Sequence, residues 1–355
     1  MAKADHKQQD FHLAGNIIKP GSKLTIDLPV TRLYTHTPIA VPVRVVHGRK
    51  PGPKLFISAA IHGDEINGVE IIHRLLEHWA VKRLRGTLLA IPVVNIHGFI
   101  HQSRYLPDRR DLNRNFPGSK KGSLAARLAH LFMNEIVKQC DYGIDLHTAA
   151  IHRDNLPQIR ANLDHPETLR LATAFDVPVL INANLRDGSL REAAAEEGVP
   201  MLLYEGGEAL RFNELVIRAG TRGIINVMRQ LDMLPPSKKS RKKRSIEPII
   251  ARSSSWIRAP GSGVLRHMVT MGSRINKNDK VAIIEDPIGE QKIEISAPYE
   301  GIVIGRSNLP LVNEGDALLH IARFGEIEEA EGRVEEFQEV FQPDSGNDNN
   351  SGFTG

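Results

Sequence analysis

Four residues in the first third of the chain, His62-Gly-Asp-Glu65, combine side chains that can bind a metal ion. They follow the apolar run 54–61, which predicts a buried strand that ends just before His62. An imidazole and a carboxylate three residues apart at a strand end can point at one cation, as in open zinc sites. Because an isolated His-x-x-Glu pair is more often structural, this interpretation needs a third ligand elsewhere in the chain.

The candidate for that third ligand is His147, the last residue of the short apolar segment 142–147. This segment is also a predicted strand, so His147 would lie at a second strand end. Three protein ligands leave the fourth position of a tetrahedral zinc ion open to water, which hydrolysis requires. The sequence therefore predicts one catalytic Zn²⁺ per chain, bound by His62, Glu65 and His147.

The loop between the two candidate metal segments contains Arg104 and the run Asp111-Leu-Asn-Arg-Asn115. Guanidinium groups bind carboxylates through paired, planar hydrogen bonds, and a neighbouring asparagine can donate to the same group. An arginine-rich loop is often only solvated, but its location between the metal segments favours a pocket lining. Arg109 and Arg110 remain alternatives to Arg104, because ten residues separate Arg104 from Arg114.

Four short motifs occur in order along the chain: His62-Gly-Asp-Glu65, Asp111-Leu-Asn-Arg114, Asp145-Leu-His147 and Leu203-Tyr-Glu-Gly-Gly207. Together they resemble the succinylglutamate desuccinylase/aspartoacylase family, relatives of the zinc carboxypeptidases. The resemblance covers roughly residues 20–230 and implies the same three zinc ligands. It further implies that Asn113 and Arg114, with Arg104, hold substrate carboxylates, and that Asp111 orients the first zinc histidine.

Glu205 resembles the catalytic glutamate of that family. It ends the apolar run 199–204 and precedes two glycines, so it would lie at another strand end. Such a carboxylate can take a proton from the attacking water and deliver it to the leaving amine. Zinc and Arg104 could stabilise the developing oxyanion. Glu208 is the local alternative for the role of base.

Residues 147–160 carry further charges that bear on the choice of substrate. Arg153 or Arg160 could bind a second carboxylate, and we expect Arg160 to be a substrate-binding residue. His152 could be read as a ligand, but a histidine in a surface loop is the better interpretation. His97 and His101 form a His-x-x-x-His pair without an acidic partner, so we expect no metal there.

Strands and helices alternate through the first two thirds of the chain. Residues 22–46, 54–61, 86–95 and 142–147 read as strands, and 68–79 and 123–139 as helices, with Trp79 on the apolar face of the first helix. This alternation predicts an α/β fold with a largely parallel or mixed sheet flanked by helices. The family resemblance implies that the fold is of the zinc carboxypeptidase type. In such sheets ligands bind at the carboxyl ends of strands, where His62 and His147 would lie.

Composition divides the chain into five predicted parts. These are an N-terminal extension (1–20), a zinc hydrolase domain (21–235), a basic linker (236–252), an all-β domain (253–325) and a disordered acidic and polar tail (326–355). The linker holds six positive charges in residues 238–244. We interpret that run as a solvated linker, although it could touch RNA or an acidic partner.

The all-β part contains an internal repeat. Ala259-Pro-Gly-Ser-Gly-Val-Leu265 matches Ala297-Pro-Tyr-Glu-Gly-Ile-Val303, and the two halves resemble the barrel-sandwich fold of biotinyl and lipoyl carrier domains. Carriers hold a lysine in the hairpin between the halves, but Glu290 takes that place here, with Lys292 displaced by two. We therefore expect a structural or oligomerising role rather than a carrier role.

The chain of 355 residues has one cysteine, Cys140, no apolar run long enough to span a membrane and no secretory signal at its start. These features predict a soluble, cytoplasmic protein without a membrane partner. Its substrate would be a small molecule or peptide that bears a carboxylate; nucleic acid is not expected, and a homo-oligomer is allowed.

The predicted function is zinc-dependent hydrolysis of the amide bond in N-acyl amino acids or related small amides. One alternative is a metallo-carboxypeptidase that trims peptides or a protein tail, since it needs the same metal, glutamate and arginines. The other is a binding or scaffolding protein with a vestigial zinc site.

Overall fold

The computed structural model describes residues 7–183, 187–236 and 249–341. The basic run 238–244 lies outside the described residues. In the part of the chain that is described, no helix is long and apolar enough to cross a membrane.

A nine-stranded mixed sheet organises the first 251 residues. The strands up to that point are, in chain order, β1 (Phe11–Leu13), β2 (Asn16–Ile18), β3 (Lys23–Arg32), β4 (Pro38–His47), β5 (Lys50–Ala59), β6 (Arg85–Ile91), β7 (Tyr142–His147), β8 (Arg153–Asn155), β9 (Gln158–Ala161), β10 (Val179–Asn182), β11 (Met201–Glu205) and β12 (Ile250–Ala251). The sheet order is β12-β10-β9-β11-β7-β5-β6-β4-β3. Strands β6, β5, β7 and β11 run parallel to one another, whereas β9 is antiparallel to β11. The predicted mixed sheet is confirmed.

Helices cover both faces of this sheet. They are α1 (Asn67–Glu77), α2 (Ile96–Ile100), α3 (Leu124–Glu135), α4 (Pro166–Phe175), α5 (Leu190–Glu196) and α6 (Glu214–Gln230), with short 3-10 turns at Trp79–Arg83, Leu112–Arg114 and Val137–Gln139. Leu55 and Ile57 of β5 pack in one core cluster with residues of α1, α4 and α6. Phe56 between them packs in the other cluster, with residues of α3 and α5. Successive strand residues point to opposite faces, so β5 is buried on both sides.

The first predicted helix is shorter than expected. Helix α1 ends at Glu77, and His78 takes an extended conformation that starts the following 3-10 turn. Trp79 is therefore 49% exposed rather than buried on the apolar face of the helix.

Two four-stranded antiparallel sheets form the C-terminal unit. Their strands are β13 (Ser253–Arg258), β14 (Gly263–His267), β15 (Arg274–Ile275), β16 (Lys280–Glu285), β17 (Lys292–Ser296), β18 (Gly301–Ser307), β19 (Leu311–Val312) and β20 (Ala317–Arg323). The orders are β13-β20-β18-β15 and β17-β16-β14-β19, around a shared apolar core. Strand β8 of the α/β unit pairs with β18, which joins the two units edge to edge. The likeness of this unit to carrier domains stays a prediction.

Two predicted boundaries need correction. Residues 250–251, assigned to the linker, form the edge strand β12 of the large sheet. The disordered tail from 326 is wrong for α7 (Ile327–Phe341), because an apolar stripe gives this acidic helix a buried face. Phe337 and Phe341 pack against Ala219 of α6, and Arg333 pairs with Asp176. The remaining domain boundaries stay predictions.

The α7 contact predicts a measurable stability loss. Phe337 is 4% exposed, so Phe337→Ala should lower the free energy of unfolding by about 3 kcal/mol. The matched control is Val340→Ala on the same helix, at a side chain that is 43% exposed. Urea unfolding of both variants measures the effect, and equal stability of the two would contradict the packing of α7.

Candidate active site

The three predicted metal ligands meet at one edge of the large sheet. His62 and Glu65 lie in the turn between β5 and α1, and His147 ends β7, the parallel neighbour of β5. One ligand atom from each side chain lies within 4.8 Å of the other two, and all three side chains are buried. Parallel strands bring their carboxyl ends to the same edge, which is why two distant segments supply one site.

Gly63 allows the turn that carries His62 and Glu65 to pack against α2. A Cβ atom at Gly63 would lie 1.9 Å from the carbonyl carbon of Gly98 and 2.1 Å from the nitrogen of Phe99. Only glycine therefore fits this close approach of two backbones. This contact between Gly63 and α2 fixes the backbone between the candidate ligands His62 and Glu65.

The Glu65 carboxylate lies between the two imidazole rings. Its Oε1 is 2.7 Å from His62 Nδ1, and its Oε2 is 2.7 Å from His147 Nδ1. The backbone N–H of Thr148 also donates to Oε2, at 3.1 Å. Both Nδ1 atoms thus face one carboxylate, and the three side chains could hold a divalent metal ion.

Two aspartates contact the outer nitrogens of the same rings. Asp111 Oδ1 lies 3.1 Å from His62 Nε2, and Asp145 Oδ2 lies 2.7 Å from His147 Nε2. The Ser58 hydroxyl donates to Asp145 Oδ1 at 2.7 Å. Such contacts set the tautomer and orientation of a ligating histidine. No role had been predicted for Asp145, although its position two residues before His147 on one strand places both on the same face.

Opposite charges within this cluster stabilise the ionised forms of its side chains. Burial raises the pKa of Glu65, but the His62 and His147 rings outweigh burial and hold that pKa well below its usual range. Burial lowers the pKa of His147, but Asp145 and Glu65 outweigh it and carry the pKa well above its usual value. The pKa of His62 is likewise raised, because Glu65 and Asp111 outweigh burial. A bound cation would take the place of these ring protons.

The Arg104 guanidinium is hydrogen-bonded to carboxylates of this cluster. Its Nε and Nη2 donate to Asp111 Oδ2 at 3.2 and 2.9 Å, and its Nη1 donates to Glu65 Oε1 at 3.4 Å. It lines the same cavity as the three ligand candidates. The rivals Arg109 and Arg110 are exposed and do not line that cavity. Its position therefore favours Arg104 over Arg109 and Arg110 as the substrate-binding arginine.

The cavity in front of the cluster has a volume of about 620 Å³. Asn113 and Arg114, both predicted to bind substrate, line it. Asn113 is 7% exposed, and its Oδ1 accepts a hydrogen bond from the backbone N–H of Leu190 at 2.9 Å. Arg114 is exposed, and no carboxylate of a described residue forms an ion pair with it. Arg114 is thus able to receive a carboxylate from outside the chain.

Glu205 reaches the same cavity from β11. Its strand pairs in parallel with β7, and Glu205 is the direct register partner of His147. Its Oε2 lies 2.5 Å from Arg160 Nε, an ion pair in which both side chains line the cavity. Glu208, the alternative base, does not line it. Its two oxygens instead accept hydrogen bonds from the His152 N–H and the Asn308 amide, both at 3.0 Å.

Sequence reasoning missed Trp256 of the C-terminal unit, which lines the cavity from β13. The Trp256 ring stacks on that of His320, with centroids 4.8 Å apart. The guanidinium of Arg153, which also lines the cavity, lies 5.4 Å from the centroid of the Trp256 ring. Arg191 of α5 also lines the cavity and donates to the Ala183 carbonyl at 3.1 Å. No local motif marks these residues, because their location depends on how the two units pack.

The histidines that had been set aside lie outside the cluster. The His152 side chain is 53% exposed, and His97 and His101 lie at the ends of α2. Among the described residues, His62, Glu65 and His147 are the one group of three potential ligands close enough to share an ion.

Comparison with known proteins agrees with this geometry. The sequence profile of the succinylglutamate desuccinylase/aspartoacylase catalytic domain matches residues 51–231, just over half of the chain. An N-alpha-acetyl-L-2,4-diaminobutyric acid deacetylase from Halomonas elongata is 26% identical over 294 residues, which cover 80% of this chain and 86% of that protein. A succinylglutamate desuccinylase from Pseudomonas aeruginosa is 28% identical over 153 residues, or 40% of this chain and 45% of the relative.

Solved structures share the fold over most of the chain. The product-bound Ectoine utilization protein EutE (DoeB) from Ruegeria pomeroyi superposes with a TM-score of 0.75 at 22% identity, covering 85% of this chain and 95% of that one. A succinylglutamate desuccinylase from Silicibacter sp. TM1040 gives 0.76 at 21% identity, covering 91% and 100%. The match of the catalytic-domain profile, across the segment that carries His62, Glu65, His147 and Glu205, shows that this chain belongs to the succinylglutamate desuccinylase/aspartoacylase family.

Proposed function

We propose that this chain is a zinc-dependent deacylase that hydrolyses the amide bond of N-acyl amino acids. The observation that carries the proposal is the meeting of His62, Glu65 and His147 beside Glu205 at one sheet edge. Two imidazoles and one carboxylate are a donor set of catalytic zinc sites. The activities for which two relatives are named, deacetylation and desuccinylation, support amide hydrolysis.

The residues divide the chemistry between them. A zinc ion in this site would supply a Lewis acid that polarises the amide carbonyl and acidifies water. Glu205 would accept the proton of the attacking water and pass it to the leaving amine. Arg104, whose Nη1 lies 3.2 Å from His62 Nδ1, would add positive charge where the oxyanion develops.

The ion pair between Arg160 and Glu205 gives Arg160 two roles in this scheme. In the free protein it holds the Glu205 carboxylate at the cavity wall, at 2.5 Å. A substrate carboxylate that binds Arg160 would compete for the guanidinium and release Glu205 for proton transfer. Substrate binding would thereby prepare the base.

The charge of the cavity favours an anionic substrate. Five arginines line it, namely Arg104, Arg114, Arg153, Arg160 and Arg191. Three carboxylates also line it, and two of these arginines are engaged within the protein, Arg104 with Glu65 and Asp111 and Arg160 with Glu205. Arg114 and Arg153 form no ion pair with a carboxylate of a described residue and can receive carboxylates of the substrate. We therefore propose that the substrate carries at least two carboxylates, from the acyl group, the amino acid side chain or both.

The proposed function is tested by a hydrolysis screen with zinc-loaded protein. We expect N-acetyl and N-succinyl derivatives of acidic amino acids to be cleaved with higher kcat/KM than those of basic amino acids and than short peptides. Preferential removal of C-terminal residues from peptides would support the carboxypeptidase alternative. No hydrolysis of any amide by a protein that binds zinc stoichiometrically would contradict the deacylase proposal.

The identity of the base predicts different outcomes for two neighbouring glutamates. Glu205→Gln should lower kcat by about 10²–10⁴-fold, because the amide cannot accept the proton. Zinc content should not change. Glu208→Gln is the matched control and should retain turnover, since Glu208 bonds to His152 and Asn308 instead of lining the cavity. The assignment is wrong if Glu205→Gln turns over like the native protein.

The outer aspartates predict a change in metal affinity. Asp145→Asn weakens the contact that orients His147, so zinc affinity should fall about 10–100-fold. Asp141→Asn makes the same change beside the other end of β7, where the carboxylate accepts from the Lys54 N–H, and should leave zinc affinity unchanged. Competition with a chelating dye measures both. Equal affinities would contradict the proposed ligand set.

The position of Trp256 predicts an effect on substrate binding from the C-terminal unit. Trp256→Ala removes the ring that stacks on His320 and lies near the Arg153 guanidinium, so kcat/KM should fall by about tenfold through KM, with zinc content unchanged. Trp79→Ala alters the other tryptophan of the chain, which does not line the cavity, and should leave KM unchanged. A Trp256→Ala variant with native KM would exclude this wall from substrate binding.

A further inference from the structure

A second cavity of about 680 Å³ lies at the opposite end of the large sheet. It is lined by the turn between β4 and β5, the 3-10 turn Trp79–Arg83, the start of β6 and residues 234–236. Strand β5 runs from Lys50 at this cavity to Ala59 beside the metal cluster. Ten strand residues span about 30 Å, so the two cavities are remote from each other.

The charges around this second cavity are almost all positive. Its lining includes Lys23, Arg49, Lys50, Lys82, Arg83 and Arg85, against the single carboxylate of Asp232. All six cationic side chains belong to exposed residues. Within the described parts of the chain, none of the six has a carboxylate within 4.0 Å, the distance that defines an ion pair. The positive potential of the cavity is therefore not neutralised by ion pairs among the described residues.

This arrangement has an energetic cost that an anion would remove. Lys50 and Arg85 are direct register partners on adjacent strands, and like charges in that relation repel each other. Six cations around one concavity also concentrate the field and attract counter-ions. A bound polyanion would offset the repulsion and stabilise the folded protein by an amount that grows with the logarithm of its concentration relative to Kd.

The lining indicates which kind of anion fits. His47 supplies the one aromatic ring among the described lining residues. This ring is buried, with Thr87 Oγ1 at 2.9 Å and the Gln9 carbonyl at 2.8 Å. The cavity thus offers no exposed aromatic face on which a nucleobase could stack. Lysine and arginine side chains both bind phosphate oxygens, arginine in a bidentate manner.

We propose that this cavity binds a linear polyphosphate anion that has no aromatic part, at a site separate from the metal cluster. The proposal does not depend on the deacylase function. The basic run 238–244 begins two residues after Pro236 in the sequence and carries six positive charges. The test must therefore separate the contribution of the cavity from that of the run.

The experiment is calorimetric titration of the full chain with inorganic tripolyphosphate at low ionic strength. We expect saturable binding that weakens with added salt. Lys82→Glu with Arg83→Glu, and separately Arg49→Glu with Lys50→Glu, should each reduce the affinity at least ~10-fold. Asp232→Asn should increase it about threefold, because it removes the opposing charge. Asp232 has φ +56°, a conformation that asparagine also tolerates.

Two controls make the result specific. Lys120→Glu with Lys121→Glu changes the same charge at exposed residues that do not line the cavity, and should leave the affinity within about twofold. Replacing the six basic residues of 238–244 by neutral ones should also leave the affinity within about twofold. The proposal is overturned if wild type does not bind tripolyphosphate, if the cavity variants bind as tightly as wild type, or if only neutralising 238–244 abolishes binding. It is also overturned if a single-stranded RNA octamer binds more tightly than tripolyphosphate.

Discussion

The site depends on one buried carboxylate held between two imidazole rings. Glu65 contacts His62 and His147 at 2.7 Å each, although the three side chains come from two segments of the chain. Burying these charges would be unfavourable without partners, and each ring has a second carboxylate behind it. The alternation of carboxylate, imidazole, carboxylate, imidazole and carboxylate gives every buried group of the cluster a partner. The parallel pairing of β5 with β7 is what brings its two segments together.

The C-terminal unit supplies part of the wall of the cavity in front of this cluster. Pairing of β8 with β18 places residues 153–155 of the α/β unit along the edge of a C-terminal sheet. Beside this strand pair, Glu208 accepts hydrogen bonds from the His152 N–H and the Asn308 amide and so links the neighbouring loops. Trp256 enters the cavity wall as a consequence.

The meeting of six site residues at one cavity could be predicted, because each is encoded locally, next to an apolar strand or within a short motif. They are His62, Glu65, Asn113, Arg114, His147 and Glu205. Asp145 could have been added from its spacing to His147 on one strand. Trp256 and the pairing of Arg160 with Glu205 could not, because both depend on contacts between segments that no local pattern records. The helix at 327–341 was missed for another reason. Its many glutamates suggested a solvated tail, whereas the spacing of Ile327, Val334, Phe337 and Phe341 already indicated one apolar face.

The central claim is that His62, Glu65 and His147 bind one catalytic zinc ion. X-ray absorption at the zinc edge, on protein loaded with one equivalent, tests it most directly. The account predicts scattering from two imidazoles and from oxygen ligands at about 2.0–2.2 Å, with one imidazole contribution lost in His147→Ala. A spectrum without imidazole scattering, or one that His147→Ala and His62→Ala leave unchanged, would contradict it.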